Sequence, residues 1–118
     1  DAEHCAVITG DLSVIDTDTE DLVLLHTLLE VDGNFIIFDN DALTSFSIDS
    51  LEYVGGHLNI SDNDVLTSFY LDNLLDIGGS FEVSFNEDLC QSFVDTFVDA
   101  LEALGWSGLV DTEGNDSC

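Results

Sequence analysis

No lysine or arginine occurs among the 118 residues, while 26 are aspartate or glutamate, giving a formal net charge of −26. A chain without cationic side chains cannot neutralise phosphates, which argues against nucleic acid as a partner and against anionic membrane surfaces. No apolar run approaches the roughly 20 residues that a membrane helix needs, so membrane insertion is not expected. No signal peptide opens the chain, and its start at Asp1 reads as that of a secreted protein from which one has been removed. The three cysteines include no C-x-x-C pair, which argues against tetrahedral zinc and toward an oxidising, extracellular or cell-surface setting. Charge of one sign on so small a body repels itself, and the compact state then requires screening by salt, divalent cations, a cationic partner or acid.

What is present is a repeat. Residues 31–53 (VDGNFIIFDNDALTSFSIDSLEY) and 54–76 (VGGHLNISDNDVLTSFYLDNLLD) match position for position at a spacing of 23. The same spacing puts Gly10, Gly33, Gly56 and Gly79 in one column, Leu12, Phe35, Leu58 and Phe81 in another, and Val14, Ile37, Ile60 and Val83 in a third. A period of about 20 to 29 residues marks a solenoid whose turns stack. The two-residue alternation within each turn predicts short strands that join into a parallel sheet along one wall. Leu43, Phe46, Ile48 and Leu51, repeated as Leu66, Phe69, Leu71 and Leu74, are predicted to fill the interior from the far wall, without regular helices. The paired glycines Gly55-Gly56 and Gly78-Gly79 suit a turn that needs positive φ or close backbone approach.

We therefore expect one solenoid domain over residues 1–118, with four to five rungs. Residues 1–7 form a lead-in, and repeats span 8–30, 31–53, 54–76 and 77–99. Within 91–118 the period breaks. Phe93, Phe97, Ala100, Leu101 and Leu104 fall on one stripe at helical spacing, predicting a capping helix over about 91–104 with Gly105 as its stop. A shortened last rung through Val110 and Asn115 follows.

After each strand stands an asparagine: Asn40, Asn63, Asn86 and, past the helix, Asn115. Pointing inward, such residues satisfy backbone groups of their own turn and the next, making a ladder. A plain turn former explains one such site but not a column of them. The pattern G-x-[LF]-x-[IV]-x-x-N-x-x-L over residues 8–90 resembles the leucine-rich-repeat-like receptor L domain of bacterial and fungal surface proteins. The resemblance implies a right-handed solenoid with extracellular interaction or scaffold roles, and carries over no active site. The absence of basic residues departs from that family.

Few residues suggest chemistry. Cys90 and Cys118 follow ladder positions at similar offsets, which on neighbouring rungs brings them roughly 5 Å apart and suits a disulfide. Cys5 shares a column with Leu28, Leu51 and Leu74, which fits either a buried small hydrophobe or a bond to another subunit. Asp16, Asp39 and Asp62 share one column, Asp18, Asp41, Asp64 and Glu87 another, and Asp49, Asp72 and Asp95 a third. The D-x-D turns offer oxygen ligands for Ca²⁺, but a solvated acidic face is the favoured reading, since the EF-hand pattern is missing. Asn59 and Asn115 head N-x-[ST] tripeptides and are candidate glycosylation sites. His4, His26 and His57 share no column, and no catalytic set or other cofactor is expected.

Two functions follow. The first is a non-enzymatic extracellular structural protein that assembles head-to-tail into filaments or a surface layer, because thinly capped solenoid ends invite a neighbour. The second is a monomeric cell-surface recognition or adhesion module that takes a glycan, a divalent cation or a cationic protein on its sheet or acidic face.

Overall fold

The computed structural model describes residues 6–22 and 25–117. Its strands in chain order are β1 (Ala6–Ile8), β2 (Leu12–Ile15), β3 (Leu28–Val31), β4 (Phe35–Phe38), β5 (Ser45–Ser47), β6 (Tyr53–Val54), β7 (Leu58–Ser61), β8 (Ser68–Tyr70), β9 (Asp76–Ile77), β10 (Phe81–Ser84) and β11 (Val110–Asp111), with helix α1 (Gln91–Ala103) between the last two. The β-branched and aromatic residues of the repeat form the main wall, a parallel five-stranded sheet ordered β11-β10-β7-β4-β2. Leu12, Phe35 and Leu58 pair across it in register, as do Phe81 and Val110 at its end. The 23-residue period is thus the period of a parallel-sheet solenoid.

Two further sheets turn the corners. One has four strands, β1-β3-β6-β9, and the other two, β5-β8. Neither was expected as a separate sheet. Part of the predicted lead-in belongs to the first: Val7 pairs with Glu30 and Ile8 with Val31, at the repeat spacing, while Ala6 slips to Leu28 through an irregularity. Leu43, Phe46, Ile48 and Leu51 are buried, as are Leu66, Phe69, Leu71 and Leu74, and Phe46 stacks on Phe69 with ring centres 5.6 Å apart. Full burial of one such side chain contributes about 1.5–3 kcal/mol, so this continuous interior supplies most of the driving force.

The paired glycines correct one expectation. Among the described residues only Gly105 and Gly114 are glycines with positive φ, so Gly55 and Gly78 serve close approach instead. A Cβ on Gly55 would overlap the carbonyl oxygen of Asp32, and one on Gly78 that of Gly55. The left-handed backbone falls elsewhere, on Asp16, Asp39, Asp62 and Phe85, with φ between 54° and 58°. Aspartate tolerates that region better than most residues.

These turns deliver the asparagines inward. Asn40, Asn63 and Asn86 are fully buried. The Asn63 amide nitrogen donates to the Ile37 carbonyl at 3.1 Å and to Asn86 Oδ1 at 3.1 Å, while its own Oδ1 accepts from the backbone N–H and side chain of Asn40 at 3.1 and 3.0 Å. Asn86 repeats this toward Ile60 and Asn115. Asn115 closes the series on the Val83 carbonyl and Gln91. At the other end Thr17 replaces asparagine, its N–H and hydroxyl both donating to Asn40 Oδ1.

The helix ends one residue earlier than expected, on Leu104 as cap, with Gly105 at φ 101° behind it. Its buried stripe also differs: Val94 and Leu101 are enclosed, Phe93, Phe97 and Val98 are half-buried against the core, Ala100 is exposed and Leu104 is 59% exposed. The helix stands where the next turn would place a strand beside β8, and it covers the end of the core with Val94 and Leu101. Asp95 lies in it, and therefore does not continue the column of Asp49 and Asp72. Trp106 finishes the cover, 6% exposed, with its indole N–H donating to the Ile77 carbonyl at 2.8 Å. The capping helix expected at this end is thus present, and an anchored indole joins it.

Replacing Asn63 by alanine removes the acceptor of the Asn40 N–H and side-chain amide and the donor that Asn63 aims at the Ile37 carbonyl. We expect a loss of about 3 kcal/mol or more, read as a lowered urea midpoint. A loss below about 1 kcal/mol would show that the ladder is not what holds the rungs in register.

Candidate functional site

The strand period leaves alternate side chains of the main sheet facing out: Ser13, Ile36, Asn59, Glu82 and Asp111 lie in one register row. Ile36, Asn59 and Glu82 are half-buried there. Beside the row runs a second ladder, one residue past the glycine column. Asp11 Oδ1 accepts the Asn34 N–H, Asn34 Oδ1 accepts the His57 N–H, and His57 Nδ1 accepts the Ser80 N–H, each at 2.8 Å. Gly33, Gly56 and Gly79 make room for it, since a Cβ at any of them would overlap the side chain of Asp11, Asn34 or His57 and the glycine carbonyl one rung earlier. Sequence reasoning missed this ladder because four different residue types share the column. Row and ladder together enclose a shallow depression of about 220 Å³ lined by Asn34, Ile36, His57, Asn59, Ser80 and Glu82.

His57 Nδ1 also lies 2.9 Å from Ser80 Oγ. A histidine beside a serine hydroxyl raises the question of a nucleophile and base. Here Nδ1 already accepts the Ser80 backbone N–H, the role that Asn34 and Asp11 fill one and two rungs earlier. The pair therefore closes a structural ladder. His26 is exposed and His4 lies outside the described residues. Among the described residues every buried side-chain nitrogen and oxygen has a hydrogen-bond partner, so no orphaned polar group is aimed at a substrate.

The acidic turns lie along one edge of the main sheet. Asp39 stands among Asp16, Asp41, Asp62 and Asp64; partial desolvation, then the charges of Asp41, Asp16, Asp62 and Asp64, raise its carboxyl above the ordinary value. Glu30 is raised as well, first by a carboxyl–carboxyl hydrogen bond with Asp32, then by burial and the Asp32 charge. Among the described residues no group of three or more His, Cys, Asp or Glu side chains is arranged to hold a metal ion. Asp18 and Glu87, the remaining acids of the two columns, are exposed at their turns.

Asn59 Oδ1 accepts a hydrogen bond from Ser61 Oγ on the same strand. The Asn115 amide nitrogen, which a glycan would need, is engaged by Val83 and Gln91. Cys90 is disulfide-bonded and is bridged in parallel to Asp116. Cys5 and Cys118 both lie outside the described residues.

The family model of the Receptor L domain matches residues 4–99. The chain belongs to the receptor L domain family. Receptor L domains are a non-enzymatic, ligand-binding type found in extracellular receptors. The match ends within α1, so Trp106 and β11 stand beyond the part that the family describes. No curated protein and no solved structure matches the chain significantly.

The raised Asp39 carboxyl sets a pH dependence. A folded-state value above the unfolded one favours the protonated form in the folded state, so its contribution to stability is complete below the ordinary value of 3.8 and is lost as pH rises through the raised one. The urea midpoint should therefore rise as pH falls from 7 toward 4.5. Asp39→Asn, which keeps a residue tolerant of positive φ, should raise the midpoint at pH 7 and flatten its pH profile. A midpoint that falls on mild acidification would contradict this.

Proposed function

We propose that this receptor L domain is a non-enzymatic, extracellular recognition module that takes a cationic protein partner on the outward face of its main sheet. The observation that carries this reading is the row Ile36, Asn59 and Glu82 beside the Asn34–His57–Ser80 ladder, a rigid and weakly concave surface on a body of charge −26 without one basic side chain. Rows of unrelieved carboxylates steer a cationic partner toward the domain, and the apolar and amide groups of the row supply short-range contacts. A glycan on the same row is the nearest competitor, and its hydroxyls would meet Asn34, Asn59 and Ser80. Ca²⁺ at the D-x-D turns of Asp16-Asp18, Asp39-Asp41 and Asp62-Asp64, with Glu87, would serve to screen charge. Among the described residues no helix is long and apolar enough to cross a membrane.

A cationic decapeptide of alternating arginine and valine is a suitable probe, followed by amide shift mapping at fixed ionic strength. We expect the largest shifts at Ile36, His57, Asn59 and Glu82, and about a tenfold loss of affinity in Glu82→Lys. Shifts centred on the acidic turns, or no loss in Glu82→Lys, would overturn the reading.

Self-assembly is the second reading, and one observation favours it. At the N-terminal end β1 and β2 are edge strands, and Ala6, Ile8, Leu12 and Val14 are only half-buried against the core. A neighbouring copy would cover them. At the other end β11 is likewise an edge strand, with Leu109 80% and Val110 39% exposed, but two bodies of like charge repel, so assembly needs salt. The proposed Cys90–Cys118 bond would brace the C-terminal end, leaving Cys5 for a link between subunits. Light scattering in low and high salt decides it: a species of 12.8 kDa in both removes assembly, while larger species that shrink on reduction support the Cys5 link.

A further inference from the structure

Away from the sheet face, a groove of about 320 Å³ runs between β8 and α1, lined by Phe69, Tyr70, Asp72, Phe93, Phe97 and Ala100. Its origin is geometric. Through residues 31–76 the third wall is made of strands stacked in register, Phe46 on Phe69 and Ser47 on Tyr70. On the next turn α1 takes the place of a strand. A helix is about 10 Å thick where a strand occupies about 4.8 Å, so it cannot seat against β8 as β5 does. A crevice opens at the seam.

The rings around the crevice meet nearly at right angles. Phe93 stands edge-on to Phe69 at 5.3 Å and to Tyr70 at 6.1 Å, with interplanar angles of 76° and 86°, and Phe97 meets Phe69 at 5.1 Å and 71°. Phe69 is buried beneath them, stacked on Phe46, so the rings that reach the space are those of Tyr70, Phe93 and Phe97. Tyr70 is 46% exposed and Phe93 and Phe97 are half-buried. At the rim stands the exposed carboxylate of Asp72, which has no hydrogen-bond partner among the described residues.

We propose that this groove binds a small quaternary ammonium ligand. Aromatic faces attract a cation through the ring quadrupole, and the attraction grows as the site sheds water. One carboxylate beside the rings supplies the counter-charge, and the chain has no lysine or arginine to occupy the place. A primary ammonium keeps three donors to be matched, and besides Asp72 and the Tyr70 hydroxyl the side chains of the lining supply little: the Thr96 hydroxyl is turned back to the Ser92 carbonyl at 2.9 Å. A quaternary ammonium has no donors to satisfy. Its methyl groups gain from the apolar walls while its charge gains from the rings and Asp72. The site is separate from the sheet face and does not depend on it.

Choline and its uncharged isostere 3,3-dimethylbutan-1-ol are the probes, titrated into the whole chain at fixed ionic strength with proton NMR of the ligand methyl groups and the Tyr70 ring. We expect choline to bind about tenfold tighter than the isostere, with its N-methyl resonance shifted upfield by the rings. Asp72→Asn should lower choline affinity about fivefold or more without changing the melting temperature, since its side chain is exposed, and Tyr70→Ala, which also gives up the ring contact with Phe93, should lower affinity by at least as much. Asp88→Asn, one charge removed from an exposed site outside the groove, should leave affinity unchanged. Equal binding of choline and the isostere would reduce the groove to a plain apolar crevice and overturn the proposal. So would the absence of any ligand shift up to about 50 mM, or equal losses in Asp88→Asn and Asp72→Asn, the mark of diffuse counterion attraction.

Discussion

An asparagine amide that reaches from one turn of the chain to the next is the constraint on which the rest of this solenoid depends. Asn40, Asn63 and Asn86 are buried without a trace of solvent, and each is tolerable there only because the next asparagine and a strand carbonyl 26 residues earlier take up its hydrogen-bonding groups. The last rung keeps these contacts although Asn115 lies 29 residues after Asn86, so the far wall can lengthen while the ladder holds. What the cost of an unpaired buried amide fixes is the register of the strand and turn that deliver each asparagine, and the in-register sheet, the glycine file and the outward row go with it. Thr17 ends the series because a hydroxyl can bond Asn40 yet has no amide group with which to reach a preceding rung.

The same regularity creates the electrostatic difficulty. The residue before each ladder asparagine must adopt left-handed backbone, and aspartate fills that place on three successive rungs, Asp16, Asp39 and Asp62. Stacking in register then sets like charges side by side at the spacing of neighbouring strands. Asp39, in the middle, has such a neighbour on either side, and its carboxyl is the one raised. On the fourth rung Phe85 adopts the same backbone at φ 58°. Gly114 makes room for its ring, since a Cβ there would overlap it. The acidic edge is thus partly a by-product of the turn geometry, which is one reason to look to the sheet row and the aromatic groove, rather than to the carboxylates alone, for specific recognition.

What could be read from the chain was whatever repeats with one residue type in one column. The glycines, the strand residues and the asparagines qualify, and so does Gly105, whose role at a helix end depends on local backbone alone. The sheet of β1, β3, β6 and β9 was not legible. β6 and β9 are only two residues long, and their column mixes Glu30, Tyr53 and Asp76. The Asp11, Asn34, His57 and Ser80 column is more instructive. Three different side chains place an acceptor atom at a similar reach and do the same work, so chemistry is conserved along the solenoid where residue identity is not. Reading columns by acceptor reach would have found it. Of the inward stripe expected for α1, Leu101 is enclosed and Phe93 and Phe97 are half-buried against the core, while Ala100 and Leu104 are exposed and Val94 takes the second enclosed place; helical spacing allows either edge of the stripe to face in, and only the shape of the end that the helix covers chooses between them.

That choice has a consequence for recognition. Because Val94 and Leu101 are the enclosed pair, Phe93 and Phe97 are rotated to the rim, where they stand against Phe69 and Tyr70 instead of vanishing into the core. A repeating scaffold is uniform along its length and offers few distinct places. Where this chain exchanges strand for helix, aromatic surface, the exposed Asp72 carboxylate and an opening coincide. Loss of periodicity at the cap thus supplies the local asymmetry that a selective binding site requires and that the stacked turns, by their own hydrogen-bond rule, cannot provide.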